Sequence, residues 1–172
     1  MEVEPELIAT RVAQLKPGDL FVFPSWLSQS YALKVVDPAE DGDTFIVPLG
    51  PKFPSDPHQP RLYAEQAGTT ISFGKEFIFK FSVIPEAWSE NEGQFDCFCA
   101  ALVEGEAYLR ANCDRYAGGY KRCWIRLSTG IISHHNLPGI AAYSTRWEIM
   151  LPQGQLPPKP LLQHAGKPLP AN

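Results

Sequence analysis

Between residues 69 and 85 the chain reads TTISFGKEFIFKFSVIP, and its apolar side chains fall two apart. Ile71, Phe73, Phe77, Phe79, Phe81 and Val83 share one parity, whereas Ser72, Gly74, Glu76, Ile78, Lys80, Ser82 and Ile84 share the other. Alternation of β-branched and aromatic residues with polar ones is the pattern of a half-buried strand. Such a row of large apolar groups needs a second layer to cover it, so this stretch is expected at the centre of a β-rich core. Gly74-Lys75 also suits a two-residue type II′ turn, which would divide the stretch into 69–73 and 76–84. One continuous strand keeps the apolar parity better and is the preferred reading. A second strong alternation runs over 140–151, where Ala141, Tyr143, Thr145, Trp147, Ile149 and Leu151 oppose Ser144, Arg146 and Glu148.

Upstream, residues 5–15 read as a short helix. Pro5 suits a first helical turn, Glu6 suits the positive end of the dipole, and Ile8, Val12 and Leu15 share a face. In LKPGDLFVFP, residues 15–24, Pro17 fixes φ and Gly18 supplies the positive φ of a type II turn. Strands follow over 20–23, 31–36 and 44–49, joined by an acidic turn at 37–43 and closed by Pro48 and Gly50-Pro51. Three short strands joined by turns predict a small antiparallel barrel or meander over 15–49. The KPGD turn ahead of a strand resembles the openings of SH3-like and related small barrels. That likeness spans one turn and one strand and names no family.

Prolines at 48, 51, 54, 57 and 60 mark 50–60 as a loop that cannot feed a sheet ladder. Residues 86–93 form an acidic connection, and 95–103 are ambiguous between strand and helix. The principal helix is expected over 104–117, with Leu109, Cys113 and Tyr116 on one face and Gly118-Gly119 as its stop. Residues 120–127 return to strand, Thr129-Gly130 turns the chain into Ile131 and Ile132, and SHHNLPG at 133–139 is a loop. The expected fold is α+β and mostly β: the 15–49 unit packed with further antiparallel strands and one principal helix. Residues 1–151 are expected to form a single globular domain, with a two-lobe split near 50–60 as the alternative. Residues 152–172, which include six prolines, read as a tail.

With 172 residues, the chain can bury about 70% of its unfolded surface, enough to fold without a disulfide or metal. A formal charge of −4 disfavours nucleic acid, whose binders carry basic domains. The opening MEVEPELIATRVAQ lacks the apolar run of a signal peptide, and no run approaches the ~20 residues of a membrane span. The expected location is cytoplasmic, which leaves Cys97, Cys99, Cys113 and Cys123 reduced. Their spacing lacks the paired knuckles of a structural zinc site, so they are expected as small buried apolar residues. Cys123, between Arg122 and Trp124, has the best charge neighbourhood for a thiolate, but it shares the parity of Ile125 and Leu127. His134-His135 could ligate a metal or act as a base, although adjacent residues of an extended segment point apart. Phosphate-loop, dinucleotide and G-x-S-x-G signatures are absent. No cofactor and no metal is expected.

One dense basic region remains. Arg110, Arg115, Lys121, Arg122 and Arg126 are interleaved with Tyr116, Tyr120 and Trp124. Strand parity puts Tyr120, Arg122, Trp124 and Arg126 on one face, expected to be an exposed aromatic-basic surface of the kind that engages proteins. The functional expectation is a non-enzymatic binding or interaction protein with a protein partner and no membrane association. Open strand edges also admit a homodimer. Tyr120, Arg122, Trp124 and Arg126 are the expected contacts, and Trp124→Ala is expected to weaken binding without unfolding the protein. The alternative is a small metal-assisted or cysteine/histidine-dependent enzyme with its site near His134-His135.

Overall fold

A computed structural model describes residues 8–23, 31–39, 41–49, 62–64, 68–90, 99–113, 121–137, 141–152 and 160–164. These residues form strands almost throughout. They are β1 (Ile8–Arg11), β2 (Leu20–Val22), β3 (Tyr31–Asp37), β4 (Asp43–Pro48), β5 (Tyr63–Ala64), β6 (Thr69–Gly74), β7 (Ile78–Phe81), β8 (Trp88–Ser89), β9 (Ala100–Val103), β10 (Glu106–Cys113), β11 (Lys121–Arg126), β12 (Ile131–Ser133), β13 (Ala141–Ser144), β14 (Trp147–Met150) and β15 (Leu162–His164). Twelve of them form one sheet in the order β1-β6-β2-β3-β12-β11-β10-β9-β13-β8, with β4 on β3 and β5 on β4. The other three form a small sheet, β15-β14-β7. All pairings are antiparallel except β12 with β3.

The two sheets enclose the main core in a β-sandwich-like arrangement. Leu20, Leu33, Val35 and Phe45 from the first hairpins meet Leu109, Cys123 and Ile125 from β10 and β11 in this core. Trp147, Ile149 and Leu162 cover them from the small sheet, joined by Phe79 and Phe81. The Phe79 ring stacks on Trp147 with centroids 5.1 Å apart. Each fully buried Leu, Ile or Phe in such a layer contributes about 1.5–3 kcal/mol.

The outer face of the large sheet is also covered in two places. Phe21, Phe23, Ala32 and Ile46 pack under Val12 and Leu15. Cys99, Ala101 and Trp124 form a separate cluster with Tyr108, Leu137 and Tyr143. Strands buried on both faces lose the clean alternation of a half-exposed strand, which is why Leu20-Phe21-Val22-Phe23 reads as a continuous apolar run.

The antiparallel meander β2–β3–β4 holds as expected, but the strands do not close into a barrel. No α-helix occurs among the described residues. Where residues 104–113 were expected to begin the principal helix of 104–117, they instead belong to the β9–β10 hairpin, whose two-residue turn places Glu104 at φ 50° and Gly105 at φ 83°; residues 114–117 lie outside the described residues. Two successive positive φ values define a type I′ turn, whose twist matches the flanking strands. Leu109 and Ala111 then face the core, and Tyr108, Arg110 and Asn112 the other side. Positions 109 and 113 share a face in either geometry, so the helical spacing of Leu109 and Cys113 was a coincidence of period. The helix expected over 5–15 is replaced within the described residues by β1 and a 3₁₀ turn at Val12–Gln14.

Both long alternations cross between sheets. β6 lies in the large sheet and β7 in the small one, so residues 69–85 are not one strand, and the two pieces do not pair as a hairpin. Likewise β13 belongs to the large sheet and β14 to the small one. Ser144 marks this second break: its hydroxyl donates to the Arg146 carbonyl and accepts from the Arg146 amide, both at 3.2 Å. The proline-rich stretch beyond residue 151 contributes β15, which buries Leu162 against the core.

Candidate functional site

The expected aromatic-basic surface is divided by the fold. Tyr120 lies outside the described residues. Arg122 is exposed, but Trp124 is only 2% exposed, covered by Cys99, Ala101, Tyr108, Leu137 and Tyr143. The expectation of an exposed Trp124 is therefore corrected. Parity placed it opposite Cys123 and Ile125, as observed, but parity does not report that this second face is covered too. Arg110, directly across from Trp124 in the ladder, is buried as well.

Arg126 is already engaged. Its guanidinium forks onto Glu106, with Nε to Oε2 at 3.2 Å and Nη2 to Oε1 at 3.1 Å, and the Ser128 hydroxyl donates to Oε2 at 2.8 Å. The Arg126 hydrogen bond, with Ser128 second, holds the Glu106 carboxyl below the usual carboxylate range. A lowered folded-state pKa means that this contribution is complete above the ordinary glutamate range and is lost as pH falls through the folded pKa. In a carbon-detected NMR titration, Glu106 should titrate below a free glutamate, and Arg126→Ala should move its midpoint back up.

His134 and His135 diverge, as adjacent extended residues do. His135 is exposed, whereas His134 turns inward and places Nε2 2.6 Å from Asp37 Oδ2. Asp37 Oδ1 accepts from the Ala39 amide at 3.0 Å. The pair joins the end of β3 to the segment after β12, across 97 positions of sequence. Nothing local in the sequence marks it. Among the described residues no group of three or more His, Cys, Asp and Glu could hold a metal ion. Cys99 and Cys123 are buried in clusters on opposite faces of the sheet, so the sheet itself stands between them.

The feature that the sequence did not single out lies on the small sheet. Its outward face bears Lys80, Ser82, Arg146 and Glu148, which with Val83 and Ile84 line a cleft of about 510 Å³. Val83 is 94% exposed, Ile84 44% and Ile78 42%. Parity had assigned Val83 to the buried row of Phe77–Phe81. Pro85 opens a 3₁₀ turn, however, and the chain leaves the ladder just before it. The loop carrying Val83 and Ile84 is firmly tied. The Trp88 indole donates to the Ser82 carbonyl at 2.7 Å, the Ile84 amide to the Ser82 hydroxyl at 3.2 Å, and the Ala87 amide to the Ile84 carbonyl at 3.0 Å. Two branched apolar side chains are thus held out into solvent on a fixed backbone. No helix among the described residues is long and apolar enough to cross a membrane. No family model, no curated protein and no solved structure matches this chain.

Proposed function

We propose that this chain is a non-enzymatic binding protein that engages another polypeptide through the β7 edge and the Val83–Ile84 loop. The observation that carries this reading is the clustering of exposed apolar groups. Of five large apolar side chains exposed among the described residues, Ile78, Val83 and Ile84 fall within seven consecutive positions. Scattered exposed apolar residues are ordinary, whereas Val83 and Ile84 stand together at a cleft, with Ile78 further along the same edge, and such a surface gains by being covered. Preorganised contacts also lose little conformational entropy on binding, and this loop is pinned by its own hydrogen bonds. Exposed Arg122 stands on a different part of the molecule and is a secondary contact candidate, with Tyr120 and Arg126.

The second reading rests on Asp37–His134, since a buried carboxylate on a histidine nitrogen is how hydrolases orient a general base. One design separates the two. Protein partners are captured by crosslinking in extracts of the source cells, on wild type and on the Val83→Asp/Ile84→Asp double variant. Removing two apolar contacts of this size should weaken capture roughly tenfold or more with the melting temperature unchanged. A partner held equally by both proteins would reject this surface. Turnover in a hydrolase panel that disappears in His134→Ala would replace the binding reading with the enzymatic one.

A further inference from the structure

We infer that β7 accepts an extended peptide as a fourth strand of the small sheet, with an acidic side chain beside Lys80 and an apolar one beside Ile78. This inference rests on the binding reading above and names its partner class.

The backbone gives the first argument. Ser82 donates its amide to the Arg146 carbonyl at 3.0 Å, and the register steps from there through Lys80–Glu148 to Ile78–Met150. In an antiparallel ladder successive residues face the partner strand and its opposite side in turn. On the far side of β14, the Ile149 carbonyl accepts from the Leu161 amide at 2.8 Å, which directs residues 148 and 150 toward β7. The amides and carbonyls of Phe79 and Phe81 therefore point away from β14. Among the described residues no strand pairs with them. Such an edge is a template for strand addition, in which main-chain hydrogen bonds supply affinity and alternate side chains supply selectivity.

Side chains set the chemistry. Residues directly opposite across an added strand share a face. On the outward face the added strand meets Ile78 and Lys80, both exposed. Lys80 has Glu148 across from it on the β14 side, and the added strand is its neighbour on the other. With Arg146 the outward face holds two cations against the one Glu148 carboxylate, so a second carboxylate is the complementary group. On the inward face the added strand meets Phe79 and Phe81, which pack on the core and favour an apolar or small residue. The peptide thus alternates with period two and carries an acid on one side.

A second copy of this chain fits less well. β7 is four residues long, an edge of about 13 Å, against roughly 800 Å² per partner in a standard stable interface. In a two-fold pairing of β7 with itself, Lys80 faces either Lys80 or Ile78 of the other copy, and neither supplies a carboxylate.

The test uses the full chain and a random-peptide display library, followed by synthetic copies of the enriched peptides. Enriched peptides should alternate apolar and polar residues and carry an acid. Binding should protect the Phe79 and Phe81 amides from hydrogen exchange. N-methylation of alternate peptide amides should abolish binding, and Lys80→Glu should weaken it roughly five- to tenfold while leaving the melting temperature unchanged. Enriched peptides that protect other amides overturn strand addition while leaving a binding protein. An absence of enriched peptides also overturns strand addition, and the double-variant capture then decides the binding reading by itself. A concentration-dependent dimer in sedimentation that protects the same two amides makes a second copy the occupant and overturns the peptide.

Discussion

Gly130→Ala is expected to lower stability by about 3–5 kcal/mol, seen as a fall in melting temperature of roughly 10 °C or more for a domain of this size. Gly130 has φ +70° and sits where two turns touch. β2 and β12 follow one another along β3, and the turns leading into them meet between the strands. The Gly18 amide donates to the Lys34 carbonyl at 2.7 Å, and the Val36 amide to the Gly130 carbonyl at 2.9 Å. A Cβ on Gly130 would overlap the Gly18 nitrogen and lie 2.7 Å from the Pro17 carbonyl carbon. These are backbone atoms, held by a proline on one side and a β3 hydrogen bond on the other, so they cannot swing aside. Gly42 provides the control: it has φ +79° with nothing within 4 Å of its added Cβ. Gly42→Ala should cost only the left-handed strain, about 1 kcal/mol. Equal melting temperatures for the two variants would show that the turns do not clash, and that the β2–β3–β12 junction is looser than described.

Both of these turns were legible in the sequence, because glycine after proline or threonine has a local physical reason to turn the chain. The inward parity of Phe79, Phe81, Trp147 and Ile149 was legible for the same kind of reason, since side-chain direction in a strand is set residue by residue. What failed were statements that depend on distant segments. Alternation over 69–85 and 140–151 shows which residues share a face, but not that the chain changes sheets at Gly74–Phe77 and at Thr145–Arg146. The four-residue spacing of Leu109 and Cys113 suits either period, and the positive φ at Glu104 and Gly105 marks the turn of a hairpin there. The Asp37–His134 contact joins residues that no window of sequence holds together. Ile78, Val83 and Ile84 were visible as apolar residues, yet only their exposure at a β7 edge that no strand among the described residues pairs turns them into a surface.

Trp124→Ala is expected to destabilise the protein by about 3–5 kcal/mol, the usual cost of emptying a buried aromatic site. Trp124 is 2% exposed, its ring is 5.8 Å from that of Tyr143, and Cys99, Ala101, Tyr108 and Leu137 close around it. Ala101, Tyr108 and Tyr143 come from β9, β10 and β13, which are held by their ladders, while Cys99 precedes β9 and Leu137 lies in the segment after β12. The gap left by the indole therefore cannot collapse easily, and the site keeps most of its cavity cost. Arg122→Ala, two positions away on the same strand but exposed, should change stability by no more than about 0.5 kcal/mol. Urea denaturation of both variants makes the comparison in one experiment. If Trp124→Ala loses a partner, the loss then reports a weakened fold, and only Arg122→Ala tests this strand as a contact surface. If Trp124→Ala unfolds at the same urea concentration as wild type, the cluster around it is not packed as described. The indole would then be free to meet a partner, and the aromatic-basic strand would regain its place beside the β7 edge as a candidate interface.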